Sequence, residues 1–187
     1  MDDPTRFTLM YFVVPIWLAA GLADWFCHRA SRIEQTAGPK ESLLHLLMFA
    51  EMGIPVLAGL FLEVTASVLL VMCLAFVAHE ATAYWDVRYA NTKREVTAAE
   101  QRIHSYLELM PLLALVLTAL SHFNQLAALF GVSDTRPDFS IRLKDEPLSR
   151  AYISVLLPAI TVFIFIPYLE ELVRTLRARA ARKKRIQ

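Results

Sequence analysis

Five long apolar stretches constrain this chain more than any other feature: Phe7 to Cys27, Leu43 to Leu62, Val64 to Ala78, Met110 to Phe130, and Tyr152 to Leu169. About 20 apolar residues in a helix cross a hydrocarbon core of about 30 Å, and a helix satisfies its backbone hydrogen bonds without help from solvent. The third stretch is long enough if its helix runs past His79 to about Arg88. With 56% of 187 residues hydrophobic, the apolar surplus has to face something other than water. The expected fold is all-α: a single polytopic integral membrane helical bundle. About five transmembrane helices are expected, over about 7–28, 42–62, 64–88, 100–130 and 150–172, followed by a basic tail over 173–187.

The net charge is only +1, but its distribution is lopsided. Seven basic residues and no acid lie between Arg174 and Arg185, and the positive-inside rule puts that segment in the cytoplasm. Five spans then place the N-terminus outside. Of the nineteen Lys and Arg residues, fourteen fall inside under this topology, including Arg29, Arg32, Lys40, Arg88, Lys93, Arg94 and Arg102. The other five, Arg6, Arg136, Arg142, Lys144 and Arg150, fall outside among Asp2, Asp3, Glu63, Asp134, Asp138, Asp145 and Glu146. The leading Met-Asp-Asp-Pro is acidic and lacks the basic start of a secretory signal, so the first stretch reads as a retained helix. An integral protein of the bacterial inner membrane, or its equivalent, is expected. The basic tail reads as an anchor for anionic membrane lipid rather than a nucleic-acid contact. Cys27 and Cys73 have no paired-thiol spacing and read as packing residues.

Pro15, Pro55, Pro111, Pro158 and Pro167 fall inside spans, where neighbouring helices absorb the freed carbonyls. Spans two and three meet near Glu63 with hardly any linker, which predicts a tight antiparallel hairpin. One continuous helix from Leu43 to Arg88 would be about 69 Å long at 1.5 Å per residue, too long for the bilayer. The connection from Gly131 to Ser149 is long, mixed in charge and without apolar period; connections of this length usually carry function or local structure.

Chemistry concentrates at one end of the spans. Asp24 and His28 close span one, Glu41 and His45 open span two, and Glu100 and His104 open span four, with Glu108 four residues further on. Each pair is spaced i,i+4, which brings both side chains within roughly 40° on one helix face, about 6 Å apart along the axis. His79 and Asp86, seven residues apart near the end of span three, again share a face. The antiparallel order puts all four pairs on the cytoplasmic side at similar depth. Glu51 lies roughly 15 Å below Glu41, where an ionised carboxylate costs several kcal/mol unless it is compensated.

Imidazole and carboxylate together suit iron, manganese or zinc, and helix bundles build two-metal sites by projecting such residues inward. In ligand chemistry the pattern resembles that of the non-haem di-iron carboxylate proteins. It departs from them in spacing, since they typically use Glu-x-x-His. It also lacks the dense histidine boxes of membrane desaturases and hydroxylases. The expectation is two metal ions, iron ahead of zinc or manganese, held by Asp24, His28, Glu41, His45, His79, Asp86, Glu100, His104 and Glu108. Glu51 and Glu108 are the candidate catalytic groups, Glu51 as a bridge or proton relay. The implied activity is a membrane oxidoreductase of oxygenase, desaturase or oxidase type, acting with O2 and a redox partner on a lipophilic substrate such as a fatty-acyl chain or quinone.

Two competing functions start from the same residues. A zinc hydrolase of membrane lipids, with Glu51 or Glu108 as base, needs only three protein ligands and leaves acids over. A metal carrier or b-type cytochrome fits less well, because the spans beyond Glu51 are almost wholly apolar and haem ligands do not call for carboxylates. Outside the cluster, His122 reads as a packing or surface residue. Glu170 and Glu171 read as a salt-bridged exposed helix end with Arg174. Trp17, Trp25, Tyr84, Trp85 and Tyr89 read as an interfacial aromatic belt. Arg29, Arg32, Arg88 and Arg94 are positioned to balance an acidic centre or to meet an anionic head group, and Glu34 and Glu80 lie close enough in sequence to join it.

Overall fold

The computed structural model describes residues 4–186, so Met1, Asp2, Asp3 and Gln187, among them the acidic start read above, lie outside the described residues. Helices α1 (Pro4–Ala30), α2 (Pro39–Phe61), α3 (Ala66–Asn91), α4 (Ala98–Ser121) and α6 (Arg150–Arg185) are each long and apolar enough to cross a membrane by length and composition. A short helix α5 (Phe123–Leu129) follows α4. Among the described residues there is no β-strand, only an isolated bridge between Leu62 and Leu143. The chain is an all-α bundle of the kind the apolar stretches predict.

Local chemistry sets the helix boundaries. Gly38, at φ 73°, makes the turn that few other residues adopt and hands the chain to Pro39 in the first turn of α2. Thr65 and Thr97 cap α3 and α4, their hydroxyls accepting from the backbone N–H groups of Val68 and Glu100. In α1 and α6 the helix widens into a π-type turn, over Leu9–Val13 and Thr161–Phe165, each ending shortly before a proline, Pro15 or Pro167. Proline has no N–H to offer the carbonyl four residues back, and both irregularities lie where that bonding register is already broken.

One expected boundary moves. The fourth span, read as 100–130, breaks at His122, whose backbone leaves the helical region at φ −121° and ψ 39°. Its ring Nδ1 donates to the Thr118 carbonyl at 2.9 Å, so the side chain satisfies one of the groups at the broken end. The basic residues of the segment read as a tail are helical. They continue the last helix to Ile186, and Arg182 donates to the Gln35 carbonyl at 2.6 Å.

α2 and α3 form the expected hairpin, and the connection over 131–149 straps its turn. Glu63 N–H donates to the Arg142 carbonyl (3.0 Å) and Lys144 N–H to the Phe61 carbonyl (2.9 Å). The Thr65 and Ser67 hydroxyls donate to the carbonyls of Ser140 and Phe139, each at 2.9 Å. Asp138, bonded by Arg142 and by the Ser140 backbone, is held down to about 2.

At the opposite end, the termini of α1, α2, α3 and α4 and the last turns of α6 come together. Tyr89 Oη donates to the Ala37 carbonyl at 2.8 Å, and Arg174 pairs with Glu34 and Glu170. We call this the basic end. The polarity of the bundle there is inverted relative to a water-soluble one: acids and histidines are buried, while Phe26, Leu43, Leu74, Val77 and Leu109 are more than half exposed. Such an outer surface needs an apolar surrounding. The chain is an integral membrane protein by the length, composition and outward face of its helices.

Candidate metal centre

Seven of the residues singled out in the sequence converge at the basic end: Asp24 and His28 from α1, Glu41 and His45 from α2, Asp86 from α3, and Glu100 and His104 from α4. None is more than 8% exposed. The i,i+4 spacing places each acid beside its own histidine, and the hairpin and antiparallel order bring the four helix ends to one level. Asp24, His28, Glu100 and His104 form one group and Glu41, His45 and Asp86 another, each with ligand atoms within 4.8 Å of one another.

Glu171 of α6 joins the two groups and is fully buried. It was expected on an exposed helix end with Glu170 and Arg174, and the structure corrects half of that reading. Glu170 does bind Arg174 (3.2 Å), as well as Arg29 (3.0 Å). Glu171, 100° around the helix, turns inward. His28 Nδ1 meets its Oε2 at 2.9 Å and His45 Nδ1 meets its Oε1 at 2.8 Å. A carboxylate only accepts, so both imidazoles carry a proton on Nδ1 and donate it to Glu171. The two rings stack at 4.3 Å with only 8° between their planes.

That tautomer leaves both Nε2 atoms facing carboxylates. His45 Nε2 lies 3.2 Å from Asp86 Oδ2. His28 Nε2 lies 3.4 Å from Asp24 Oδ2 and 3.5 Å from Glu100 Oε1, is buried, and makes no hydrogen bond. His104 Nε2 lies 3.0 Å from Asp24 Oδ1. Lone pairs facing one another at these separations require a cation between them, either further protons on the rings or metal ions. Metal–ligand bonds of about 2.0–2.2 Å put neighbouring ligand atoms roughly 3.0–3.5 Å apart, which is the spacing here. Buried Asp24 Oδ1, Asp86 Oδ1 and His104 Nδ1 also lack hydrogen-bond partners. The donor set therefore fits two metal ions. Glu171 stands behind the histidines as the carboxylate that fixes their tautomer, the usual partner of a metal-bound imidazole.

Charge points the same way. Asp24, Glu41, Asp86, Glu100 and Glu171 are buried together, and Arg94 is the one cationic guanidinium among them, its side chain 4% exposed. Arg94 donates to Glu41 at 2.6 Å and to Glu100 at 2.5 and 2.9 Å. Burial disfavours its charge, but the bonds to Glu100 and Glu41 outweigh that and hold its pKa above its already high ordinary value. Of the arginines placed to balance an acidic centre, Arg94 is the one that does so. With neutral histidines the centre is left four charges negative, which two divalent ions would cancel. Tyr168 Oη donates to Asp24 Oδ2 at 3.2 Å, and Thr175 lies behind Ser42, both from the inward face of α6.

The remaining candidates stand apart. His79 is buried but belongs to neither group, because it lies seven residues before Asp86, about 10 Å deeper. Glu108 is exposed, lies about 6 Å beyond His104 along α4, and belongs to neither group. Glu51 accepts from the Thr82 hydroxyl at 2.8 Å, one turn and a half below His45. The i,i+4 and i,i+7 spacings fix the direction these side chains face but not their depth. Glu34 pairs with Arg174 instead of joining the centre. Cys27 and Cys73 are free and half-buried.

The fold and its buried residues define an integral membrane helical bundle with a histidine–carboxylate centre at one end. No family model, curated protein or solved structure matches this chain.

Proposed function

We propose that this protein is a membrane-embedded metalloenzyme with a two-metal centre, and that the metal is iron serving an oxidation of a lipophilic substrate. The observation that carries the reading is His28 Nε2, fully buried, without a hydrogen bond, and facing Asp24 and Glu100 with its other nitrogen already committed to Glu171. One metal would be held by Asp24, His28, Glu100 and His104, the other by Glu41, His45 and Asp86. Three imidazoles against four carboxylates is a set that favours iron or manganese over the sulfur-rich or three-ligand sites of zinc. Bound iron would supply redox chemistry with O2, while the bundle supplies orientation and a dry surrounding. Positive residues crowd this end, so the centre would face the cytoplasm, in a bacterial inner membrane or its equivalent, within reach of a soluble redox partner.

Elemental analysis of detergent-purified protein tests the reading. Two irons per chain are expected, and the double replacement His45→Ala with His104→Ala should remove them while far-UV circular dichroism stays unchanged. Normal metal content in that variant, or no metal in the parent protein, would sink the proposal. One zinc per chain would instead favour hydrolysis.

A further inference from the structure

A cavity of about 610 Å³ runs from the histidine–carboxylate centre to the opposite end of the bundle. It touches His45, Asp86 and His104 at its inner end, Trp17 and Met52 along its length, and Lys144 at its mouth. Its size is that of a small-molecule site, but its shape is unusual in being long. Lys144 is bonded through its backbone to Phe61, and Phe61 stands sixteen residues from His45 along α2, so the two ends are about 24 Å apart. The acyl chains of one leaflet occupy about half of a 30 Å core. The cavity is therefore deeper than a leaflet.

The mouth carries charge. Arg6 and Lys144 line it together with Glu146 and His122. Neither cation has an ion-pair partner within 4 Å among the described residues. Burial lowers the pKa of Lys144; Glu63 opposes this, and Arg6 adds to it. Arg6 and Lys144 are like charges at one mouth that also holds Glu146, and an anion placed between the two cations would relieve their repulsion.

The cavity is wide beside Gly53, in the middle of α2. A Cβ there would meet nothing within 4 Å, and the residue lines the cavity about 12 Å from His45. Only a side chain much larger than a methyl at this position would fill that space.

We infer that this cavity binds a single-chain amphiphile with an anionic head, the head between Arg6 and Lys144 and the chain running past Gly53 to the histidine–carboxylate centre. Its placement at that centre rests on the function proposed above; the binding itself does not. An extended chain covers roughly 1.2 Å per bond, as the 3.6 Å of a three-bond peptide unit shows. The depth therefore matches about twenty bonds, or about fifteen if Lys144 reaches inward along its own five. The reacting position would be far from the head group, near the end of the chain.

The test uses saturated carboxylates brominated at mid-chain, with quenching of Trp17 as the readout, in full-length protein whose Trp25 and Trp85 are replaced by Phe. Quenching should strengthen with chain length up to about twenty bonds and then stop. The pair Arg6→Gln and Lys144→Gln should weaken carboxylate binding at least tenfold and leave the matched alcohol unchanged. Gly53→Phe should abolish long-chain binding with metal content and helicity intact. Equal binding of carboxylate by parent and charge variant, or unaltered binding by Gly53→Phe, overturns the inference. So does quenching that ignores chain length in the parent protein, which needs no variant to fold. Elemental analysis of the same parent preparation separates the two proposals: chain-length-dependent quenching in protein that holds no metal as purified refutes the metal centre alone.

Discussion

Glu171→Gln is the substitution that interrogates the centre most sharply, because it changes one atom and keeps the shape. In the parent protein both carboxylate oxygens accept, from His28 Nδ1 at 2.9 Å and His45 Nδ1 at 2.8 Å. An amide offers one acceptor and one donor. Whichever imidazole faces the new NH2 must present a lone pair at Nδ1, so a neutral ring moves its proton to Nε2 and can no longer ligate from there. One metal position should lose its histidine and the other should keep it. Removing a carboxylate behind a metal-bound histidine typically costs 10–100-fold in affinity, or about 1.4–2.8 kcal/mol at 1.4 kcal/mol per decade. The assay is equilibrium dialysis against a graded chelator buffer, followed by elemental analysis and circular dichroism. The account predicts a biphasic titration, with one metal held as in the parent and the other released at 10–100-fold higher free metal. Two metals retained with parental affinity would refute the reasoning, and so would loss of both in parallel.

Arg94→Met leaves Glu41 and Glu100 facing each other without their shared guanidinium, and breaking such a buried arrangement costs about 3–5 kcal/mol. Thermal unfolding in detergent should show that loss in chelator-stripped protein and a much smaller one with metal bound; similar small losses in both states would contradict it. His79→Ala and Glu108→Gln should leave metal stoichiometry unchanged, since neither residue belongs to the two groups, and elemental analysis of the purified variants decides it. Asp138, held down to about 2 by Arg142 and Ser140 against an ordinary 3.8, contributes to the strap only while ionised. Its contribution is complete above about pH 4 and is lost as pH falls through 2, so pepsin should cut the 131–149 connection progressively faster over that interval. An Asp138→Asn variant should be cut at a rate that no longer depends on pH in that range.

Much of this centre is legible in the sequence because helical geometry alone carries it. Asp24–His28, Glu41–His45 and Glu100–His104 owe their proximity to a spacing of four, and their common level to antiparallel order. The same arithmetic misplaces His79 and Glu108, since residues on one face can still lie one or two turns apart in depth. Glu171 is hidden by its neighbour: Glu170 and Arg174 form an ordinary i,i+4 pair, and nothing local says that the next acid turns inward. The signal lies along the helix, where Ile164, Tyr168, Glu171 and Thr175 recur at intervals of four, three and four, all buried. The break at His122 has no glycine or proline to announce it and depends on a side chain closing back on Thr118. Arg94 sits in the α3–α4 connection, and only the assembled helix ends reveal that it meets both Glu41 and Glu100.

Anomalous scattering at the iron edge from crystals of the metal-loaded protein bears most directly on the centre. The account predicts two peaks on the Nε2 side of the stacked His28 and His45 rings. One should lie among Asp24, His28, Glu100 and His104, and the other among Glu41, His45 and Asp86. A single peak, a peak beside His79 or Glu108, or none at all in protein shown to be loaded would contradict it.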